Sequence, residues 1–512
     1  MNRREALLTA GGAVLGILGP SSKAPTLASQ SEHEFSRGTV VQLAKNIAAR
    51  PFKAPQEVPR PFGKLGYDEY RDIKFKRDRA LWAGEDRGFA IELLHSGFIY
   101  KTPVQVHTVV EGKPKPVRYS SELFDFGPNL NVSPIEGEQL LSGFRLLAPI
   151  NSISHYDEFA VFQGASYFRA VGAGQIYGAS ARGLAVDTGE PKGEEFPLFR
   201  SFWIEKPEGK SKTIFVHALL DSVSVAGAFT FRIRPGAVTE MDVQATLFAR
   251  SDLDHLGLAP LTSMYLFDSL ERSRFDDYRA AVHDSDTLAV HGKDSGWLVR
   301  PLANSKRLEV SSFSDSSIKG FGLEQRARRL SDYHDLEARY ELRPSTWVEP
   351  RLGWGEGNVE LIEIPSDREF NDNIVAFWRP PKRLAAGEEL SYAYWLHWGQ
   401  PVGERQLAWV THTRGGLTLD QTRRHFVVDF SLPDLDSSRE PKASSFGEAI
   451  VPRVSASKGT IKNVVGQIHT VEDGYRVTFE LDVSGVDVSE LRLRLTRGEE
   501  TVSETWVYRW TA

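Results

Sequence analysis

Apolar and polar residues alternate along much of this chain with a period of two, the pattern of β-strands that bury one face. Phe229, Phe231 and Ile233 alternate with Thr230, Arg232 and Arg234. Met241, Val243, Ala245 and Leu247 alternate with Asp242, Gln244 and Thr246. Pro235-Gly236 supplies a turn between these runs, so together they predict a long antiparallel hairpin with one buried face. The stretch from Thr213 to Arg234 reads as two strands broken near Gly227. The alternation returns in Tyr475, Val477, Phe479, Leu481 and Val483, then in Leu491, Leu493 and Leu495, then in Trp506, Tyr508 and Trp510. Short strands at that spacing predict a small immunoglobulin-like β-sandwich. One segment keeps a helical period instead: Val40, Leu43, Ala44, Ile47 and Ala48 predict a helix over 40–50, capped by Thr39 and stopped by Pro51.

The expected architecture is therefore mainly β. A large antiparallel β-sandwich domain spans 29–398, a linker spans 399–422, and the immunoglobulin-like sandwich spans 423–512. The linker is placed where Gly399, Pro401, Gly403, Gly415 and Gly416 cluster. The first 28 residues follow a different pattern. Arg3-Arg4 precede an apolar run from Ala6 to Leu18, diluted by glycine, and small residues follow at Pro25-Thr26-Leu27-Ala28. This layout predicts a twin-arginine signal peptide over 1–28 and export to the periplasm. An ordinary export signal with an incidental arginine pair fits the same layout. The run is shorter than the roughly 20 residues of a membrane span, so stable membrane insertion is not expected.

Composition narrows the chemistry. The 512 residues suffice for a large core. With 62 Lys+Arg against 68 Asp+Glu and no basic tract, nucleic acid is not an expected partner. The absence of cysteine excludes disulfides, thiolate metal sites and cysteine nucleophiles. The sequence holds neither a phosphate-binding Gly-rich loop nor a serine nucleophile elbow; Gly178-Ala179-Ser180-Ala181-Arg182 lacks the elbow's last glycine. His283 with Asp284 and Asp286 has the residue types of a partial metal site, but such loop groups more commonly exchange hydrogen bonds, and no metal or cofactor is expected.

What remains is carboxylates beside aromatics. Three segments carry them: Asp276 to Asp286, Arg343 to Gly355, and Glu369-Phe370-Asn371-Asp372-Asn373 running into Ile374-Val375-Ala376-Phe377-Trp378. The last apolar run is short and ends at Pro380-Pro381, as a buried strand does, which sets Asp372 at the strand's mouth. Hydrolysis of a glycosidic bond needs one carboxyl to protonate the leaving oxygen and a base to take a proton from the nucleophile. Asp372 beside apolar groups and a second carboxylate, Glu369, suits such a pair. The same residues also suit a turn that caps the strand.

Several long segments resemble the osmoregulated periplasmic glucan biosynthesis protein G/D family. They include Gly66-Tyr67-Asp68-Glu69-Tyr70-Arg71-Asp72-Ile73, Phe162-Gln163-Gly164-Ala165-Ser166-Tyr167-Phe168-Arg169-Ala170, Tyr177 to Ala185, and Leu258 to Met264. The His283-to-Asp286, Arg343-to-Pro350 and Asp372-to-Trp378 segments complete the resemblance, which spans nearly the whole chain after the signal. The twin arginines resemble the D type. The resemblance implies a large β-sandwich with a smaller immunoglobulin-like domain, a β-1,2-glucan polysaccharide as partner, and inverting glycoside hydrolase or transglycosylase chemistry. It implies Asp372 as general acid, acting through a substrate hydroxyl. It also implies Asp284 as the base end of a water-mediated proton path, with Asp286 the competing match, and Glu369 as relay. The chain departs from the family at Ala179, where leucine is frequent, at Ser96, where proline is frequent, and at Thr287, where glycine is usual.

Three functions fit this reading: a β-1,2-glucan hydrolase, a transglycosylase that closes the glucan into a ring, and a scaffold that binds glucan without chemistry. All require a groove lined by aromatic and hydrogen-bonding groups. Trp347, Trp354, Trp378 and Tyr167 are the aromatic candidates for it, with Arg343 and Glu349 as polar ones. The oligomeric state is open, a homodimer being one option.

Overall fold

The structure, a computed structural model, describes residues 34–59, 61–128, 130, 140–351, 353–400, 407–431, 450–469 and 474–512. The expected signal peptide lies outside these residues. The chain is mainly β, as the alternation predicts. Two large sheets, one of ten strands and one of fifteen, carry most of the fold. Phe144, Phe162 and Phe168 from the first sheet meet Phe202, Phe229 and Phe231 from the second. Phe162 and Phe168 both approach Phe231 edge-on, with ring centroids 5.2 Å and 5.1 Å apart. Such contacts add roughly 0.5–1.5 kcal/mol each beyond the area they bury.

The predicted hairpin forms as Val225–Arg234 against Thr239–Ala249, with Phe231 opposite Val243. The break in the preceding run falls at Ser222–Ser224, not at Gly227. Gly227 is inside a strand, where a Cβ would meet the Leu247 side chain at 2.9 Å, so it makes room for a neighbour and does not end the strand. The hairpin is buried on both faces for most of its length, contrary to the one-sided expectation. The helix causes this. It runs from Arg37 to Ala48, and its Val40 and Ala44 pack with Ala228, Leu219, Phe248 and Trp203 on the outer face. Arg232 and Arg234, further along that face, stay exposed. Thr39 lies inside the helix, where its hydroxyl accepts the Ser36 N–H at 3.1 Å; Ser36 is the cap.

The C-terminal strands form a second sandwich. Four of them, Trp409–Leu417, Arg424–Ser431, Gly474–Asp482 and Thr460–His469, make one sheet. The segment 399–422 thus supplies a full strand, in which two of its glycines, Gly415 and Gly416, pair with Phe426 and His425. The opposing strands, Ile450–Ala456, Val488–Arg497 and Thr505–Thr511, extend the fifteen-stranded sheet. Thr505–Thr511 pairs in parallel with Gly296–Pro301 of the large domain, Leu298 opposite Thr505. The two sandwiches therefore share a sheet.

A buried ion pair fastens the join. Glu504 is fully buried and takes Arg326 Nη1 at 2.7 Å, Arg326 Nη2 at 3.0 Å and the Val410 N–H at 2.9 Å. Glu504→Ala would leave Arg326 with Glu324 as its buried counter-charge and strand the Val410 N–H. It should destabilise the protein by about 1–3 kcal/mol, measured by chemical denaturation.

Candidate active site

A row of polar side chains crosses the ten-stranded sheet at one end of four neighbouring strands. The strand Tyr167–Ala170 pairs with Ser180–Arg182, which pairs with Leu256–Ser263, which pairs with Ile374–Arg379. Thr262 lies opposite both Ser180 and Val375. Ser180 and Thr262 hydrogen-bond through their hydroxyls, and Ser180 Oγ donates to Asp372 Oδ2 at 3.3 Å. Arg169 Nη2 lies 3.8 Å from the same oxygen. The Asp372 side chain is 18% exposed, so it is held against the sheet yet reaches solvent. Its neighbour Asn373 fixes it there. The buried Asn373 amide accepts the Tyr265 N–H at 2.8 Å and donates to the carbonyls of Tyr265 and Ile364 at 2.9 Å and 3.1 Å.

Asp284 hangs from the continuation of the same central strand. Past Ser263 the chain enters Tyr265–Phe267, which pairs with Val282–His283, and the Asp284 N–H donates to Met264 O at 2.8 Å. Asp284 is buried, and Arg343 Nη1 donates to its Oδ1. Desolvation pushes the Asp284 carboxyl above the ordinary aspartate range; Arg343 and Arg169 oppose this, and the charge of Asp372 adds to it. Gly178 makes the arrangement possible, since a Cβ there would meet the Arg343 side chain at 2.8 Å.

Asp286 faces elsewhere. Its Oδ2 accepts the N–H groups of Arg326 and Ala327 at 2.8 Å and 3.0 Å. His283 bonds Gln325 Oε1 through Nδ1 at 2.8 Å and stacks on Tyr265. His283, Asp284 and Asp286 thus point to three different partners, and no group of three or more metal-ligating side chains occurs among the described residues.

Glu369 reaches Asp284 indirectly. The Arg343 guanidinium lies 4.2 Å from the centre of the Tyr340 ring, and the Tyr340 hydroxyl makes a long contact, 3.5 Å, with Glu369 Oε2. Burial, with the charges of Glu369 and Asp284, pushes the Tyr340 phenol above its usual range. Arg279 Nη1 meets Glu369 Oε2 at 2.7 Å and is itself held by Asp277 and Asp335. The Glu369 carboxyl remains 44% exposed.

The expected sugar contacts divide. Tyr167 lies at the site, half-buried, its ring 5.4 Å from the Arg182 guanidinium. Trp347 and Trp378 do not: they are 3% and 0% exposed. Trp347 packs in the core of the small sandwich with Val299 and Trp506, and Trp378 sits between the two large sheets. Trp354 packs against Trp378, Tyr392 and Tyr394 and donates to Ala393 O at 3.2 Å. Trp378 is six residues along its strand from Asp372, roughly 20 Å, so this cluster marks the far end. Glu349 is half-exposed beside His397, 3.8 Å away. Arg343, offered as a substrate contact, is committed to Asp284. Arg169, Ser180, Thr262, Asn373, Tyr340 and Arg279 were not singled out as site residues in the sequence. Arg169 left a signal, a cation set between Phe168 and Ala170 in an otherwise apolar strand.

Over residues 35–510 the chain matches the family described as "Periplasmic glucan biosynthesis protein, MdoG". It is 44% identical to "Glucans biosynthesis protein G" of Rhodopseudomonas palustris (strain BisA53) over the whole of both chains. It is likewise 44% identical to the protein of that name from Bradyrhizobium diazoefficiens, again over the whole of both. The Vibrio cholerae protein of that name is 44% identical over 93% of this chain and 87% of its own. These relatives carry the G name and lend no support to the D type that the twin arginines suggested.

Asn373→Ala would strand the Tyr265 N–H and two buried carbonyls. A loss of about 2–4 kcal/mol in denaturant unfolding is expected.

Proposed function

The chain belongs to the MdoG family of periplasmic glucan biosynthesis proteins, and on that premise we propose that it acts on β-1,2-glucosidic bonds by acid/base catalysis. The observation that carries this reading is the pair Asp372 and Asp284. They sit at the ends of two strands that pair with the successive strands Leu256–Ser263 and Tyr265–Phe267; one is partly exposed, and the other is buried against Arg343. In the proposed step, Asp372 gives its proton to the glycosidic oxygen through a hydroxyl of the substrate. The bond from C1 to that oxygen breaks. The nucleophile's oxygen bonds to C1 from the opposite face, and its proton passes to Asp284 along a water path, with Glu369 as relay. With water as nucleophile the step is an inverting hydrolysis; with a sugar hydroxyl it is a transglycosylation, including ring closure. The backbone hydrogen bonds of Asp286 support Asp284 over Asp286 as the base. The twin-arginine layout of residues 1–28 supports export by that pathway.

Incubation with linear β-1,2-glucan should change its length or cyclisation, and Asp372→Asn should abolish the change while glucan binding persists. Mass analysis separates the two chemistries, because a ring is one water lighter than its linear equivalent. Identical product profiles from wild type and Asp372→Asn would overturn the assignment. Tight binding with no product from either would favour the scaffold.

The pH dependence has a definite sign. The base must be ionised, and burial raises the pKa of Asp284 above the ordinary 3.8. Turnover should therefore fall as pH drops through that raised value. The stability contribution runs the other way: the folded state holds the Asp284 proton more tightly than the unfolded chain, so stability is gained at acid pH and lost as pH rises. Arg343 opposes the upward shift. Arg343→Met should move the acid limb of the kcat profile to higher pH, and an unmoved limb would remove Asp284 from the base role.

A further inference from the structure

Four aromatic side chains near the site are exposed or half-exposed, yet three of them sit on rigidly built supports. Tyr67 opens the short helix Tyr67–Arg71 and is 60% exposed. Phe98 sits in a tight turn closed by two backbone hydrogen bonds between Gly97 and Tyr100, at 3.0 Å and 2.8 Å. Its φ is 54°, a left-handed conformation that is costly for a bulky residue and persists only where the surroundings enforce it. The Tyr67 and Phe98 rings meet edge-on at 5.9 Å, and Tyr70 backs Phe98 in a stacked contact at 6.2 Å. Tyr70 is anchored in turn, donating to His95 O at 2.9 Å and accepting from Gln163 Nε2 at 2.8 Å. Tyr100 continues the row inwards: it lies 5.7 Å from Tyr70, and its phenol feels the charges of Arg169 and Asp372.

On the other flank Phe370 is 68% exposed and Tyr278 77%. Asp277 and Arg279 hold each other at 2.8 Å, so the residue between them is turned outwards. Phe370 follows Glu369, which that same Arg279 binds. Strand order sets the two groups apart. Gln163, which holds Tyr70, lies on a strand four places from the one that Asp372 opens, and the loop carrying Phe370 joins that strand to its next neighbour. Four strand spacings are roughly 19 Å.

We propose that Tyr67 and Phe98 on one side, and Phe370 and Tyr278 on the other, are stacking subsites for pyranose rings of a glucan chain that crosses Asp372. This rests on the reading of the substrate given above. A sugar ring presents an apolar face of C–H groups, and an exposed aromatic covers it at little entropic cost. Two platforms flanking the carboxylates would select long chains and fix which bond lies at Asp372.

The test uses the full chain carrying Asp372→Asn, so that binding is read without turnover. Tyr67→Ala and Phe370→Ala are introduced singly, and affinity for long linear β-1,2-glucan is measured by calorimetry. Each should weaken binding roughly threefold to tenfold. In the chain with Asp372 intact, each should raise KM for long glucan and leave kcat unchanged. Unchanged affinity in both variants would overturn the platforms and leave the assignment of the carboxylates standing. If the parent binds no β-1,2-glucan, the platforms and the substrate reading fall together.

Discussion

Desolvating a carboxylate as completely as Asp284 costs several kcal/mol unless a cation stands against it. Arg343 is that cation, and much of the local structure exists to hold it. Its guanidinium lies over the Tyr340 ring, its Nη2 donates to Ala338 O at 3.3 Å, and Gly178 leaves space for its aliphatic stem. Tyr340 can give its ring to Arg343 only because its hydroxyl has somewhere to go, and it goes towards Glu369. Glu369 is then steadied by Arg279, which Asp277 and Asp335 hold from behind. One buried charge thus accounts for a chain of alternating signs reaching from the interior to the exposed Glu369.

The two carboxylates owe their relation to a single carrier. Leu256–Ser263 continues into Tyr265–Phe267, and each aspartate is placed by the strand that pairs with one half. Interiors packed at crystal density do not stretch, so a shift of this carrier moves both groups together. The small sandwich belongs to the same frame. Its Glu504 holds the Arg326 side chain, while the backbone N–H groups of Arg326 and Ala327 hold Asp286, two residues from Asp284. The shared sheet is thereby tied by hydrogen bonds to the loop that carries the base candidate.

The alternation of Phe229 to Ile233 with Thr230 to Arg234 was enough to predict the hairpin, because period two is a property of the strand alone. Its second buried face was not legible, since that depends on where a distant helix lies. Gly227 misled for a related reason: a glycine that yields space to Leu247 and one that ends a strand look alike in sequence. At the site, Asp372 was legible as a polar residue at the mouth of an apolar run. Asp284 and Asp286 could not be separated, because only the fold brings Arg343 to one and the Arg326 backbone to the other. Ser180 and Thr262 left no mark, being ordinary strand residues whose importance comes from pairing across three strands.

The expected tryptophans Trp347 and Trp378, which are buried, and Tyr67, Phe98, Tyr278 and Phe370, which are not, differ through the same constraint. Strands of a sheet packed on both faces offer their side chains no solvent, so the indoles of Trp347 and Trp378 are drawn into cores, where their area contributes most. A glucan can be met only by residues outside the layered region, on the turns, loops and short helices beyond the strand ends. Such segments hold an aromatic in place only at a cost, seen in the left-handed backbone of Phe98 and in the ion pair that spans Tyr278. In a protein of this class, therefore, burial and backbone strain separate solvent-facing aromatics from core ones, which the number of aromatics does not.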